Sequence, residues 1–131
     1  PGPTNHPLDY IPDSFWETVA LAREDPEHYE ECLRQRSREE LLEFIWNFEE
    51  AAAEFKYEPY TDHVSPKLSE DGIDDVATWV VEQGRDFACE VFDNPPRMPK
   101  RVDHPMGYLS KAVRVFYQRF GGPIPLRKSS N

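Results

Sequence analysis

The most constraining feature of this 131-residue chain is the stretch over residues 38–56, where apolar side chains recur every three or four positions. These side chains are Leu41, Leu42, Phe44, Ile45, Phe48, Ala52 and Phe55. Such spacing places them on one face of an α-helix, and most glutamates of the stretch fall on the other face. Ser37 and Glu40 have the spacing of a capping box, in which each side chain binds a backbone N–H of the first turn. The stretch therefore predicts a long amphipathic helix.

Proline, glycine and capping residues divide the rest of the chain into further helical segments. The predicted helices cover residues 14–24, 26–36, 38–56, 69–83, 85–92 and 105–120. The first begins at Ser14, which has the capping-box spacing to Glu17. No stretch alternates with period two over the length of a strand. We predict an all-α fold, a compact bundle of five or six helices with the helix over residues 38–56 at its centre.

The termini differ in composition from the middle of the chain. Residues 1–12 contain four prolines, each of which fixes its own φ and disfavours helix at the preceding residue, so we predict an extended Pro-rich arm. Residues 13–120 are predicted to form a single helical domain, which suits a chain of this length. Gly121-Gly122-Pro123 ends the last helix, and residues 121–131 are predicted to be a flexible tail.

Charge is distributed unevenly along the chain, which carries a net charge of −10. Residues 1–96 hold 24 acidic and 7 basic side chains, whereas residues 97–131 hold 1 acidic and 8 basic side chains. We favour an arrangement in which the basic end packs back on the acidic body, since this neutralises both. In the alternative arrangement each surface meets a charged partner. A sequence pI near 4.8 argues against a general nucleic-acid binder, which normally shows a basic footprint.

The cysteine count and the hydropathy of the chain indicate where in the cell the protein is located. Two cysteines, Cys32 and Cys89, are fewer than a small secreted scaffold usually carries, so we read them as thiols in a reducing cytoplasm. A disulfide between them stays open as an alternative. No apolar run approaches the roughly 18 residues that a membrane span needs, and the first residues lack the features of a secretory signal. We expect a cytoplasmic protein without a membrane segment.

A family resemblance becomes visible in the second half of the chain. Residues 69–85 read Ser-Glu-Asp-Gly-Ile-Asp-Asp-Val-Ala-Thr-Trp-Val-Val-Glu-Gln-Gly-Arg, and Asp93-Asn94-Pro95 follows. This string resembles the bacterial family known as domain of unknown function 4240, with its Ser-Asp-Asp-Gly start, Trp-Leu-Ile core, Gln-Gly-Arg break and Asp-Pro end. Phe15-Trp16 and residues 37–55 resemble that family's opening and central helices, so the resemblance covers about residues 14–96. It implies the fold, whereas the family's name states no activity.

Two short segments depart from the family's pattern. Asp75-Val76-Ala77 stands where the family usually has aromatic residues and an arginine, and Lys67-Leu68 stands where it usually has two glycines. If that arginine and those glycines serve a site in relatives, the site is altered in this chain.

The acidic turn formed by Asp71, Asp74 and Asp75 is the first candidate site. These carboxylates lie three and four residues apart on one helical face, where they could hold a divalent cation or act as acid and base. The alternative is a solvated helix start, because acids are common and favourable in a first turn. His63 precedes this turn in a loop, and Arg85 follows the same helix.

No other pattern indicates chemistry. The four histidines and two cysteines lack the spacing of a metal site, so no metal is predicted, and neither a nucleophile elbow nor a phosphate-binding glycine loop is present. We therefore expect no cofactor. Trp46 lies between the apolar stripe and the acidic face of its helix, where a partly exposed ring could anchor a partner.

The leading functional hypothesis is a non-enzymatic interaction module that binds a basic protein through an acidic helical face, as an inhibitor or immunity protein would. It depends on the acidic body and on the absence of a catalytic signature. One alternative is an enzyme or ligand-binding protein that uses the turn at residues 71–75 with His63 or Arg85. Another is an accessory domain of a longer chain. The oligomeric state is not predicted.

Overall fold

The computed structural model describes residues 6–127, and within that range the chain forms six α-helices and no strand. The α-helices are α1 (Asp13–Glu24), α2 (Pro26–Gln35), α3 (Arg38–Ala53), α4 (Glu70–Glu82), α5 (Arg85–Asp93) and α6 (Tyr108–Phe120). Short 3-10 helices occupy Pro7–Tyr10, Tyr60–His63 and Pro95–Arg97. The predicted all-α fold is confirmed. Gly84 separates α4 from α5. Its φ of 104° lies outside the helical region, and glycine adopts such a φ readily.

The helix α3 is the longest element and contacts α1, α4 and α6. Its buried side chains are Leu41, Leu42, Phe44, Ile45, Asn47, Phe48, Ala51 and Ala52. The predicted capping box is present, since Glu40 N–H donates to Ser37 Oγ at 3.1 Å and Ser37 N–H donates to Glu40 Oε1 at 2.8 Å. The prediction of a long central helix is confirmed, although α3 ends at Ala53 and not near residue 56. None of the helices in residues 6–127 is long and apolar enough to cross a membrane.

The predicted N-cap of α1, Ser14, is two residues too late. Pro12 occupies the N-cap position without a side-chain hydrogen bond, and Phe15 N–H donates to Pro12 O at 3.0 Å. Ser14 therefore lies inside the first turn, where its carbonyl accepts a hydrogen bond from Thr18 Oγ1. A proline ahead of the helix sets an extended backbone there, which moves the start forward of the capping-box sequence.

The extended arm predicted over residues 1–12 is also corrected in its described part. Pro7–Tyr10 forms a turn of 3-10 helix, and His6 caps it by accepting Leu8 N–H. Leu8 is fully buried and Ile11 is 2% exposed. Burying two such side chains stabilises by about 1.5–3 kcal/mol each. The prolines are compatible with this turn, because Pro7 stands at its first position and the residues before Pro7 and Pro12 are extended. Residues 1–5 lie outside the described range.

The tail predicted over residues 121–131 is bound to α3 in its described part. Trp46 Nε1–H donates to Pro125 O at 2.7 Å, and Arg127 bonds to side chains of α3. We call residues 123–127 the C-terminal strap. Residues 128–131 lie outside the described range. The prediction missed the strap because its contacts join residues about eighty positions apart, which local sequence patterns do not report.

The basic end of the chain packs back on the acidic body. Lys111 Nζ lies 2.8 Å from Glu30 Oε1, and Arg119 donates to the carbonyls of Leu33 and Arg36 at the end of α2. A cation at this end of a helix also offsets the negative end of the helix dipole. These contacts agree with the arrangement that the charge distribution favoured.

Candidate functional site

The predicted acidic turn lies at the exposed start of α4. Asp71 and Asp74 are exposed and Asp75 is half-buried, and Lys56 Nζ lies 3.4 Å from Asp74 Oδ1. Ser69 Oγ accepts the N–H of Gly72, an ordinary N-cap. In residues 6–127 no group of three or more histidine, cysteine, aspartate and glutamate side chains could hold a metal ion. The turn has the features of a solvated helix start.

The structure does not bring the other two predicted residues to this turn. His63 is half-buried at the end of the Tyr60–His63 helix, and in the described chain no hydrogen bond joins it to the acidic turn. Arg85 lies at the start of α5, where its Nη2 is 2.7 Å from Asp9 Oδ1. Arg85 lines a different feature, an open groove.

This groove has a volume of about 720 Å³ and lies between α1 and the junction of α4 with α5. One wall is a face of α1 from Asp13 to Glu24, and the other is formed by residues 83–86. Trp16 contributes to the lining and is 5% exposed. The indole Nε1–H of Trp16 is buried and has no hydrogen-bond partner in the described chain. The groove therefore combines an aromatic ring with polar and charged walls.

Both arginines of the groove are engaged with the protein's own atoms. Arg23 Nη1 donates to Gln83 Oε1 at 2.7 Å and to the backbone carbonyl of Glu82 at 3.3 Å. Arg85 is paired with Asp9 as described above. These contacts use the positive charges to join α1 and the Pro7–Tyr10 helix to the α4–α5 junction.

The acidic side chains of the groove are not engaged in ion pairs within residues 6–127. Asp13, Glu17 and Glu24 on α1 and Asp86 on α5 are all exposed. Within residues 6–127, none of these four side chains forms an ion pair or accepts a hydrogen bond from a basic side chain. The groove thus presents unpaired negative charge to anything that enters it.

Trp46 forms a second feature on the outer face of α3. It is half-buried, and its neighbours on that face are Glu43, Asn47 and Glu50. The guanidinium of Arg127 lies over its ring, 5.1 Å from the centroid. The prediction placed a partly exposed tryptophan beside carboxylates; in the structure that ring is covered by the C-terminal strap.

A thiol, an imidazole and a carboxylate lie close together in a cluster that no sequence pattern predicted. Cys89 Sγ lies 3.9 Å from His6 Nδ1, and His6 Nε2 lies 2.9 Å from Asp93 Oδ1. The order resembles that of cysteine hydrolases, which need a thiolate. Here burial, reinforced by nearby carboxylates, raises the pKa of Cys89, although Arg85 opposes the shift.

Leu8 N–H also donates to His6 Nδ1 at 3.1 Å. We therefore read this cluster as support for the N-terminal turn. His6 and Cys89 are 83 positions apart, and no spacing rule connects them.

The fold and the groove define an all-helical protein with an open, acidic surface groove. The chain belongs to the family described as "Protein of unknown function (DUF4240)", whose model matches residues 12–118. This confirms the resemblance and extends it beyond residues 14–96 into α6. No curated protein and no solved structure matches the chain.

Two stretches that carried the resemblance meet in the groove. Phe15-Trp16 contributes Trp16 to its lining, and Gln83-Gly84-Arg85 forms most of the wall opposite α1. The two stretches are more than sixty residues apart in the sequence. The groove is therefore the place where these two motifs of the family pattern meet.

Proposed function

We propose that this protein is a non-enzymatic interaction module that binds a basic segment of a partner protein in the groove between α1 and the α4–α5 junction. One observation carries the proposal: both arginines of the groove are engaged internally, whereas four exposed carboxylates have no cationic partner in residues 6–127. An inhibitor or immunity protein directed at a basic target is one form that such a module takes.

The spacing of the carboxylates suits an elongated basic segment. Asp13 and Glu17 are four residues apart, and Glu24 follows seven residues later, so the three share one stripe of α1. Lysine or arginine side chains that follow one another along a peptide would meet this stripe in succession. Trp16 lies beneath this stripe as a buried ring that is 5% exposed, so the carboxylates would supply the contacts to such a segment.

The physics of the groove predicts moderate, salt-dependent binding. Exposed ion pairs contribute about 0.2–1 kcal/mol each, so several are needed for a stable complex. Added salt should weaken binding, because the Debye length falls to about 8 Å at physiological ionic strength. The overall charge of −10 should also speed the approach of a basic partner.

The test uses an octapeptide of alternating lysine, arginine and serine as the probe, with an aspartate-rich octapeptide of equal length as its control. Amide resonances are followed during titration of the full chain. We expect the shifts to concentrate at Ala20, Gly84 and Arg85, which line the groove. The acidic peptide should cause none.

A charge-matched pair of variants separates groove binding from general attraction. Glu17→Lys/Glu24→Lys reverses two groove charges, and Glu31→Lys/Glu58→Lys reverses two exposed charges outside it. We expect the groove variant to lose about tenfold or more in affinity and the control variant to lose little. Equal losses in both variants would show that net charge alone attracts the peptide, and the proposal would be abandoned.

A further inference from the structure

The outer face of α3 holds a guanidinium with an unusually complete set of partners. Arg127 Nη1 lies 3.0 Å from both carboxylate oxygens of Glu43, and Arg127 Nε lies 2.6 Å from Glu50 Oε2. Arg127 Nη2 lies 2.9 Å from Asn47 Oδ1 and 3.3 Å from Glu50 Oε1. Every nitrogen of the guanidinium therefore has an acceptor supplied by this one helix.

The sequence of α3 explains why these acceptors converge. Glu43, Asn47 and Glu50 are spaced by four and three residues, so they lie one above another on the same helical face. Trp46 lies beside them and places its ring under the guanidinium, 5.1 Å from the centroid. Such a position adds a cation–π attraction to the hydrogen bonds.

The site also contacts the backbone of the segment that carries the arginine. Trp46 Nε1–H donates to the carbonyl oxygen of Pro125, two residues before Arg127, at 2.7 Å. The side chain between them, Leu126, points into solvent and is 90% exposed. The site thus recognises an arginine and a backbone carbonyl two positions earlier, and it places no demand on the intervening residue.

The strap is held by these polar contacts and by the side chain of Ile124, which packs against the hydrophobic core. Ile124 and Pro125 are only half-buried, and Arg127 itself is exposed. Exposed ion pairs contribute little individually, and their effect here comes from a network on one guanidinium. Because exposed ion pairs contribute little net free energy, another segment of the same chemistry could compete with the strap for this network.

We propose that this face of α3 is a recognition site for an arginine-bearing, extended peptide of a partner protein, and that the C-terminal strap occupies it within the same chain. The proposal does not depend on the groove, which uses other carboxylates. Arginine is required because its planar fork matches two carboxylates and an amide oxygen at once, whereas a lysine ammonium is a single point charge.

The test uses the full chain with Arg127→Ala, which empties the guanidinium position while keeping the fold. The probe is the acetylated pentapeptide Pro-Ile-Pro-Leu-Arg, which copies residues 123–127. Binding is followed by calorimetry and by the indole N–H resonance of Trp46. We expect saturable binding to Arg127→Ala and at least about tenfold weaker binding to the wild-type chain, because a tethered occupant competes at an effective concentration in the millimolar range.

Two controls define the chemistry of the site. A peptide with lysine in place of arginine should bind at least about tenfold more weakly. In the Arg127→Ala background, Glu43→Gln/Glu50→Gln should abolish peptide binding, whereas Glu39→Gln/Glu49→Gln on the same helix should preserve it. Circular dichroism verifies that each variant is folded.

Three outcomes would overturn the proposal. The first is that Arg127→Ala does not bind the pentapeptide at millimolar concentration. The second is equal affinity for the lysine peptide. The third is a concentration-dependent dimer of the wild-type chain that Arg127→Ala abolishes, which would assign the site to the strap of a second copy.

Discussion

The side-chain carboxylate of Glu82, at the end of α4, accepts the backbone N–H of Tyr108, the first residue of α6, at 3.2 Å. The same carboxylate accepts the N–H groups of Met106 at 2.7 Å and Gly107 at 2.9 Å. Gly107 is the N-cap of α6 and supplies no side-chain hydrogen bond. A negative charge at this end of a helix is favourable, so Glu82 caps α6 from a neighbouring helix.

Replacing this cap should destabilise the protein. Glu82→Gln keeps the size of the side chain but exchanges one acceptor oxygen for an NH₂ group, so at least one of the three N–H groups loses its partner. We expect the free energy of unfolding to fall by about 1–3 kcal/mol in urea titrations at neutral pH. Glu90→Gln, which removes only an exposed pair with Arg97, should change it by less than about 0.5 kcal/mol. Equal effects would contradict the capping role.

The same residue should give the stability a characteristic pH dependence. Burial raises the pKa of Glu82 above its usual 4.5, although the three backbone N–H groups oppose the shift. The folded state therefore binds a proton more readily than the unfolded state, and stability falls as pH rises from 4.5 towards the raised pKa.

The pH dependence is tested as a difference between two proteins. Glu30 and Glu40, whose pKa values are lowered by hydrogen bonds, contribute the opposite slope, with stability lost as pH falls below 4.5. They are present in both the wild type and Glu82→Gln, so their effect cancels. The difference in unfolding free energy between the two proteins should decrease as pH rises above 4.5. A difference that is constant across this interval would show that Glu82 does not titrate in the expected direction.

Trp16 offers a test of the unpartnered indole in the groove. Trp16→Phe removes a buried N–H that has no acceptor in residues 6–127, and this offsets part of the lost ring area. We expect thermal unfolding to show a cost below about 1.5 kcal/mol, against about 3–5 kcal/mol for Trp16→Ala. If Trp16→Phe were as costly as Trp16→Ala, the indole would have a contact that this structure does not show.

Gly122 controls the path from α6 into the C-terminal strap. A Cβ at this position would overlap the ring of Tyr117, so Gly122→Ala forces the ring or the strap to move. We expect a cost of about 1–3 kcal/mol and a shifted Trp46 indole N–H resonance, because the bond to Pro125 is disturbed.

Tyr117, whose ring the added Cβ would overlap, provides the control. Tyr117 is 49% exposed, so Tyr117→Ala alone should cost little. In the double variant Gly122→Ala/Tyr117→Ala, the Trp46 resonance should return to its wild-type position. A resonance that stays shifted would mean that the alanine acts through the backbone and not through the ring.

Local patterns were sufficient for the helices but not for their exact starts and ends. The apolar spacing from Leu41 to Ala52 reports which face of α3 is buried, because three- and four-residue intervals follow from helix geometry. The cap at Ser37 was found because both of its partners lie within four residues. At Ser14 the same spacing was misleading, since Pro12 had already started the helix.

The candidate sites depend on contacts that no short pattern contains. Arg23 meets Gln83 across 60 positions, and Arg127 meets Glu43 across 84. Composition predicted that the basic end would neutralise the acidic body, but it could not say which charges would stay unpaired. The acidic turn at Asp71 had a sequence signal because its members are neighbours, although proximity along a helix does not make a binding site.

The capping of α6 by Glu82 has a consequence for how the helices unfold. Because α6 has no cap of its own, its first turn depends on α4 being in place. Loss of α4 would leave α6 with uncovered donors and without the Glu82 charge, so the two helices should open together in a single step. Amide hydrogen exchange should then give α4 and the first turn of α6 the same opening free energy, although Glu82 and Gly107 are 25 positions apart along the sequence.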